Sequence, residues 1–222
     1  MAKEIKNENA EAVVEAVSKT EKFFNENGKL LAGICAGVVV LAAVIFCWVK
    51  FVHQPKVEEA QGQMAYAEQV FRAGDYQTAL NGDGNILGFA QIIDEYGKKA
   101  GASVYFYAGV CELQNGNWEQ AINYLENYKG TDAILAARAK ACIGDAYVGL
   151  ENYSKALACF EAAAAESDNL FAATYLLKAG AVAEKLGDDA KALSLYKTIK
   201  DQYPQSMEGY DVDKYIGRIE AR

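Results

Sequence analysis

The sequence is poor in the residues on which enzyme chemistry most often depends. It contains one histidine, His53, and its five cysteines form no C-x-x-C pair. No phosphate-binding loop, nucleophile elbow or zinc-protease motif occurs. Because no catalytic or metal-ligating cluster is present, we predict that the protein is not an enzyme. We also expect no cofactor, no metal and no small-molecule substrate, and we expect His53 to be only an interfacial residue.

Positive charge and proline are scarce as well. The chain has 22 Lys and Arg against 30 Asp and Glu, which gives a net charge of −8. Contact with phosphates needs clustered Lys and Arg, so nucleic acid is an unsuitable partner. Only two prolines, Pro55 and Pro204, interrupt the chain, and long helices are therefore permitted almost everywhere. The composition predicts an all-α fold.

The cysteines do not describe a disulfide framework, because their number is odd and none lie close together. We expect them to be free thiols that behave as small apolar side chains. A bridge between Cys142 and Cys159 stays open, since these two are expected on successive helices of one hairpin.

One long apolar run stands out in this otherwise mixed sequence. Residues 30–49, LLAGICAGVVVLAAVIFCWV, contain no charge and are flanked by Lys29 and Lys50. Twenty helical residues span about 30 Å, the thickness of the hydrocarbon core of a bilayer. The run exceeds the core of a signal peptide, and no small-residue cleavage site follows it. We predict an uncleaved transmembrane helix at 29–53, which contacts membrane lipid.

The flanking segments set the predicted domain boundaries. Residues 1–28 form a polar segment, and residues 54–222 form a soluble domain, because Pro55 disfavours a helical conformation at Gln54 and suits the first turn of a new helix. Lysines near the two ends of the apolar run bias the N-terminus only weakly toward the cytoplasm. The N-terminal segment is either a surface helix or a contact for a partner, since it carries one apolar face, formed by Val13, Val14, Val17 and Phe24.

A repeated pattern of small and aromatic residues fills the soluble domain. Residues 143–163, IGDAYVGLENYSKALACFEAA, match the tetratricopeptide-repeat pattern L-G-x2-Y…A-x3-F. Related units begin at Ala67, Gly109 and Gly180, with spacings of about 35 residues except where an insertion at 81–85 adds a loop. In each unit a small residue lets two helices approach closely and aromatic residues fill the space around them. The residues expected to pack in this way are Gly109, Ala121, Gly144, Tyr147, Ala156, Phe160, Gly180, Ala192 and Tyr196.

These patterns together predict the architecture. We expect a single N-terminal transmembrane helix followed by a superhelix of about four tetratricopeptide repeats, and residues 212–221 supply a capping helix for the last repeat. Superhelices of this kind bind polypeptides on the concave face that is lined by the first helix of each repeat. On that face the repeat phase places an apolar groove of Met64, Phe71, Phe106, Val110, Leu113 and Leu177.

The alternative for this groove is that several of its six residues pack inside the domain. The same face offers few cations, namely Arg72, Arg138 and Lys185, so the sequence does not indicate a clamp for an acidic chain end.

The stretch ahead of the apolar run carries a more specific resemblance. Residues 22–29, KFFNENGK, lead directly into the predicted membrane helix and are followed by the repeats. This arrangement resembles the YfgM-like family, the ancillary subunits of the bacterial Sec translocon. The resemblance implies a bacterial inner-membrane protein with a cytoplasmic N-terminus and periplasmic repeats. It also implies SecYEG, periplasmic chaperones and unfolded client chains as partners, and a role in transferring secreted proteins to those chaperones. The alternative is a structural scaffold of another envelope assembly, such as outer-membrane biogenesis or cell division.

Overall fold

The structure is a computed structural model that describes the backbone of residues 2–167 and 169–221. Within those ranges it describes the side chains of 18, 21–23 and every residue from 25 onward. The predicted apolar face of Val13, Val14, Val17 and Phe24 therefore lies outside the side chains that the structure describes. The backbone contacts divide the chain into two compact units, Met1–Pro55 and Lys56–Arg222.

Every regular element in the described residues is helical, which confirms the predicted all-α fold. The α-helices are α1 (Ala2–Trp48), α2 (Gln54–Arg72), α3 (Tyr76–Asn81), α4 (Phe89–Tyr96), α5 (Ser103–Gln114), α6 (Trp118–Glu126), α7 (Ala133–Gly149), α8 (Tyr153–Glu166), α9 (Phe171–Lys185), α10 (Asp189–Gln202), α11 (Met207–Asp211) and α12 (Asp213–Glu220). A π-helical turn spans Val49–His53 and a 3₁₀ helix spans Gly97–Ala100.

The N-terminal unit consists of α1 and the π-helical turn. The side chains of its apolar run are exposed, for example Leu30 at 64% and Val39 at 67% of their full accessible surface. The helix that contains this run is long and apolar enough to cross a membrane, by length and composition. It is therefore a candidate membrane span.

Gln54 is helical, although Pro55 was expected to disfavour a helical conformation there. Gln54 has helical dihedral angles, φ −58° and ψ −48°, and its N–H donates to the carbonyl of Val49 in the wide π pattern. Such a turn shifts the carbonyls that a proline ring would meet in a regular α-helix. Pro55 itself lies in the first turn of α2, where its missing N–H costs little.

The C-terminal unit is a series of antiparallel helix pairs. α5 pairs with α6, α7 with α8, and α9 with α10, so that three regular hairpins follow one another. The first pair is irregular, because residues 82–88 separate its second helix into the short α3 and α4. The expected insertion is thus a break within a helix, and Gly82 (φ 76°) turns the chain at the end of α3.

The turns inside the hairpins share one chemistry. A residue with positive φ ends the first helix, and an Asp or Asn stands directly before the second. Gly187 (φ 78°) precedes Asp188, whose side chain accepts a hydrogen bond from the N–H of Lys191. The third repeat departs from this pattern, because Glu151 holds the left-handed position with φ 56°. Glycine adopts that conformation without the steric cost that a Cβ brings.

The packing inside each hairpin depends on a missing side chain. A Cβ placed on Gly144 would lie 2.7 Å from Cε1 of Phe160, and one placed on Gly109 would meet the Leu125 side chain. Gly180 lies in the same way against the ring of Tyr196. The first helix of each pair thus has no side chain where the second helix presents its largest buried one, and the two helices approach closely as a result.

The predicted capping helix closes the C-terminal end of the array, as expected. Val212, Ile216 and Ile219 are buried in one core with Phe160 and Tyr196. Ion pairs connect the cap to the preceding repeat, since Lys200 lies 2.7 Å from Asp213 and Arg218 contacts Glu184. The last hairpin therefore does not leave its apolar face in water.

We predict that Gly180→Ala lowers the free energy of unfolding by about 1–3 kcal/mol, because the added methyl group overpacks the core. Tyr196 is fully buried and its hydroxyl donates to Glu184 at 2.8 Å, so the ring cannot retreat from the new methyl group. The measurement is urea unfolding of the full chain in detergent micelles, followed by far-UV circular dichroism.

Gly217→Ala in α12 is the matched control for this substitution. Apart from its chain neighbours and the backbone of its own helix, no atom lies within 4 Å of a Cβ at Gly217, so the same change should leave stability equal or raise it by about 0.5–1 kcal/mol. Equal effects of the two substitutions would contradict the close contact at Gly180.

Candidate functional site

The first helices of the three regular hairpins line an open groove with a volume of about 460 Å³. α5, α7 and α9 each contribute side chains from one face, and the second helices of the hairpins contribute none. The lining residues are Val110, Leu113 and Gln114 from α5, Ile134, Arg138, Ala141, Cys142 and Asp145 from α7, and Phe171, Thr174, Tyr175 and Lys178 from α9.

The groove has an apolar floor and an apolar rim. Val110 and Tyr175 are buried at 9% and 8% exposure, whereas Ile134 and Phe171 remain 50% and 56% exposed. Large apolar side chains with this much exposure are candidates for contact with another molecule when they gather around one depression. An apolar segment that entered the groove would remove them from water.

Two of the three charged side chains in the groove neutralise each other. Nζ of Lys178 on α9 donates to both carboxylate oxygens of Asp145 on α7, at 2.7 and 2.8 Å. The same ammonium lies 5.6 Å from the ring centre of Phe160. These contacts connect α7 to α9 across the groove and fix the direction of the lysine side chain.

Arg138 is the remaining charge in the groove. It lies on α7, in the central helix of the three, and it is exposed. Among the side chains that the structure describes, none forms an ion pair or a hydrogen bond with Arg138. The groove thus carries one net positive charge on a chain whose overall charge is −8.

The groove also contains a thiol and a phenol with low acidity. Burial and, to a smaller extent, the neighbouring Asp145 raise the pKa of Cys142 to about 11, although Arg138 and Lys178 partly oppose the shift. Burial likewise raises the pKa of Tyr175. Both groups are neutral at physiological pH. All five cysteines are free, so the bridge between Cys142 and Cys159 that the sequence left open is not formed in this structure.

The structure places the six predicted groove residues differently from one another. Val110 and Leu113 line the groove. Met64 and Phe106 do not, since they are 3% and 5% exposed inside two separate cores. Phe71 and Leu177 are half-buried and pack against core residues rather than lining the groove.

Four of the lining residues that the sequence did not single out are Ile134, Phe171, Tyr175 and Lys178. They lie on the first helices, as the repeat phase requires, but at other turns of those helices. The repeat pattern identifies which helices face the groove. It does not give the rotation of each helix relative to the next, and that rotation determines which residues of a first helix face the groove.

No group of three His, Cys, Asp or Glu side chains suited to a metal ion occurs in the described part of the chain.

Comparison with known proteins agrees with the geometry of the helix pairs. Residues 103–130 and 143–206 match models of the tetratricopeptide repeat. The chain is thus an all-α protein in which one N-terminal apolar helix precedes a tetratricopeptide-repeat array. A crystal structure of MamA protein is similar over 74% of this chain and 84% of that one, with 17% identity and a TM-score of 0.58. At that identity the likeness shows the fold alone. A search of curated proteins found no match.

We predict that the Cys142 thiol of the folded chain reacts with iodoacetamide about a hundredfold more slowly at pH 8 than in the unfolded chain. A pKa raised from 9.0 to about 11 lowers the fraction of reactive thiolate by that factor. The rate should rise as the pH approaches 11, because the thiolate forms there. Mass spectrometry of digested, alkylated protein measures each cysteine separately, and the chain in urea is the control. Equal rates in the folded and unfolded chains would contradict the prediction.

Proposed function

We propose that this protein is a membrane-anchored interaction module whose groove between α5, α7 and α9 binds a segment of another protein. The observation that carries this proposal is the exposed apolar rim of Ile134 and Phe171 around an open groove on a repeat array. Tetratricopeptide arrays are scaffolds for protein contacts, and this role requires no catalysis, cofactor or small-molecule substrate.

The proposed organisation has three parts. Residues 1–28 precede the membrane, residues 29–53 cross it in contact with lipid, and residues 54–222 form the repeat domain. The exposed, uncharged side chains of the apolar run support this assignment, because a surface of that kind is costly in water and favourable in hydrocarbon.

A more specific role is proposed from the resemblance of residues 22–29. We propose that the protein is an ancillary subunit of the Sec translocon in a bacterial inner membrane, with a cytoplasmic N-terminus and periplasmic repeats. In this role it would receive unfolded clients beside SecYEG and assist their transfer to periplasmic chaperones. The apolar rim of the groove supports contact with unfolded chains, which expose apolar side chains.

A second candidate is a scaffold for another envelope assembly. It is favoured by two apolar side chains outside the groove, Met207 at 85% and Tyr210 at 77% exposure, both on the short helix α11. A scaffold holds more than one partner, and a second exposed apolar surface suits that requirement.

The test is photocrosslinking in cells with a photoreactive phenylalanine at Phe171, together with a thiol-accessibility reporter at the C-terminus. We expect crosslinks to Sec subunits or emerging chains and a periplasmic C-terminus. Ala158 on α8 is the control position, because it is exposed and lies outside the groove.

The outcomes separate the parts of the proposal. If crosslinks at Phe171 do not exceed those at Ala158, the groove is not a contact surface and the interaction role is wrong. A cytoplasmic C-terminus would contradict the translocon role. Crosslinks from Phe171 to components of outer-membrane assembly or division would favour the scaffold.

A further inference from the structure

The charge distribution of the groove points to the chemistry of the segment that it binds. We infer that the groove selects a segment that carries one acidic side chain between two apolar side chains, and that Arg138 pairs with the carboxylate. This inference rests on the proposed function of the groove as a protein-binding site, and it adds the class of segment.

The first step is the availability of the cations. Lys178 is held by both oxygens of Asp145 and by the ring of Phe160, so that a ligand would have to displace a bidentate ion pair to reach it. Arg138 has no such competitor among the described side chains. Its planar guanidinium presents paired N–H donors that match the two oxygens of a carboxylate. A carboxylate that enters the groove therefore meets Arg138 first.

The second step is the contrast with the rest of the surface. The chain has an excess of acidic residues, and several of its exposed cations elsewhere are paired, as in Lys140 with Glu166 and Lys191 with Glu161, whereas Lys98 and Lys129 form no ion pair with a described residue. The negative net charge of the chain repels an acidic segment, whereas the net positive charge of the groove attracts one. Complementary charge of this kind favours one class of partner and disfavours others.

The third step is the spacing of the apolar contacts. α7 lies between α5 and α9 along the array, with Leu113 on one side of Arg138 and Phe171 on the other. Neighbouring helix axes lie about 8–10 Å apart, and an extended chain advances about 3.3 Å per residue. About three residues therefore separate a carboxylate at Arg138 from an apolar side chain on either wall.

The experiment measures peptide binding to the full chain in detergent micelles by fluorescence anisotropy. The probe is the rhodamine-labelled peptide SLSSESSLS with an amidated C-terminus, so that the central Glu is the only carboxylate of the peptide chain and is flanked at three residues by leucines. The matched peptides replace the central Glu by Gln or by Lys. At low ionic strength we expect the Glu peptide to bind about tenfold more tightly than the Gln peptide.

The protein variants assign the preference to one residue. Arg138→Gln should remove the difference between the Glu and Gln peptides, and Arg138→Glu should reverse the preference in favour of the Lys peptide. Lys155→Gln removes the same charge from the outer helix α8 and should keep the preference. Because Arg138 is exposed, these variants should retain the circular dichroism spectrum and unfolding midpoint of the parent chain.

The results that would contradict a preference for acidic segments differ from those that would contradict protein binding by the groove. Equal affinity for the Glu and Gln peptides, or a preference that survives in Arg138→Gln, would overturn the inference and leave the groove as a protein-binding site. Absence of binding by all three peptides would overturn the inference too. In that case crosslinking at Phe171 decides separately whether the groove contacts proteins at all.

Discussion

The structure of the repeat array depends on one steric constraint, which is the absence of a side chain where two helices of a hairpin meet. A glycine on the first helix receives the largest buried side chain of the second helix, and a Cβ at that point would overlap it. The three pairs are Gly109 with Leu125, Gly144 with Phe160, and Gly180 with Tyr196. The same contact recurs in each regular hairpin, so the hairpins have the same geometry and can stack in a regular series.

The groove is a consequence of this regular stacking. When the hairpins repeat their geometry, their first helices lie side by side, and one face of each is left without a neighbour. Val110, Ile134 and Phe171 therefore gather around one depression although they are far apart in sequence. The ion pair between Asp145 and Lys178 joins two of the three helices across it. The cap formed by α12 completes the core at the C-terminal end, where no further hairpin covers the last one.

Sequence patterns predict the parts of this structure that depend on local chemistry. The apolar run and the small residues of the repeats follow from composition and spacing alone. Glu151 does not, because it occupies a left-handed position that glycine holds in the neighbouring repeats. The sequence likewise predicts only a loop at the insertion in the first repeat. It does not predict that this insertion divides the second helix of the repeat into α3 and α4.

The candidate site is predicted less completely, for a different physical reason. Position in the repeat indicates that a residue lies on a first helix, but the rotation between successive hairpins decides whether it faces the groove or a core. Met64 and Phe106 turn into the cores, whereas Phe171 at the start of α9 stays exposed. Arg138 is available to a ligand because Asp145 pairs with Lys178 instead. Lys178 lies 33 residues after Asp145 and 18 residues after Phe160, so no local sequence pattern predicts these contacts.

A double-mutant cycle between Gly144 and Phe160 tests the steric constraint most directly. The unfolding free energy is measured for the parent chain, Gly144→Ala, Phe160→Leu and the double variant. If the absence of a side chain at Gly144 makes room for the ring of Phe160, truncating the ring should relieve the cost of the added methyl group. The loss of unfolding free energy in the double variant should then be smaller than the sum of the losses in the two single variants by about 0.5–3 kcal/mol. Additive effects would mean that the two residues do not contact each other, and the account of how the hairpins and the groove are built would be wrong.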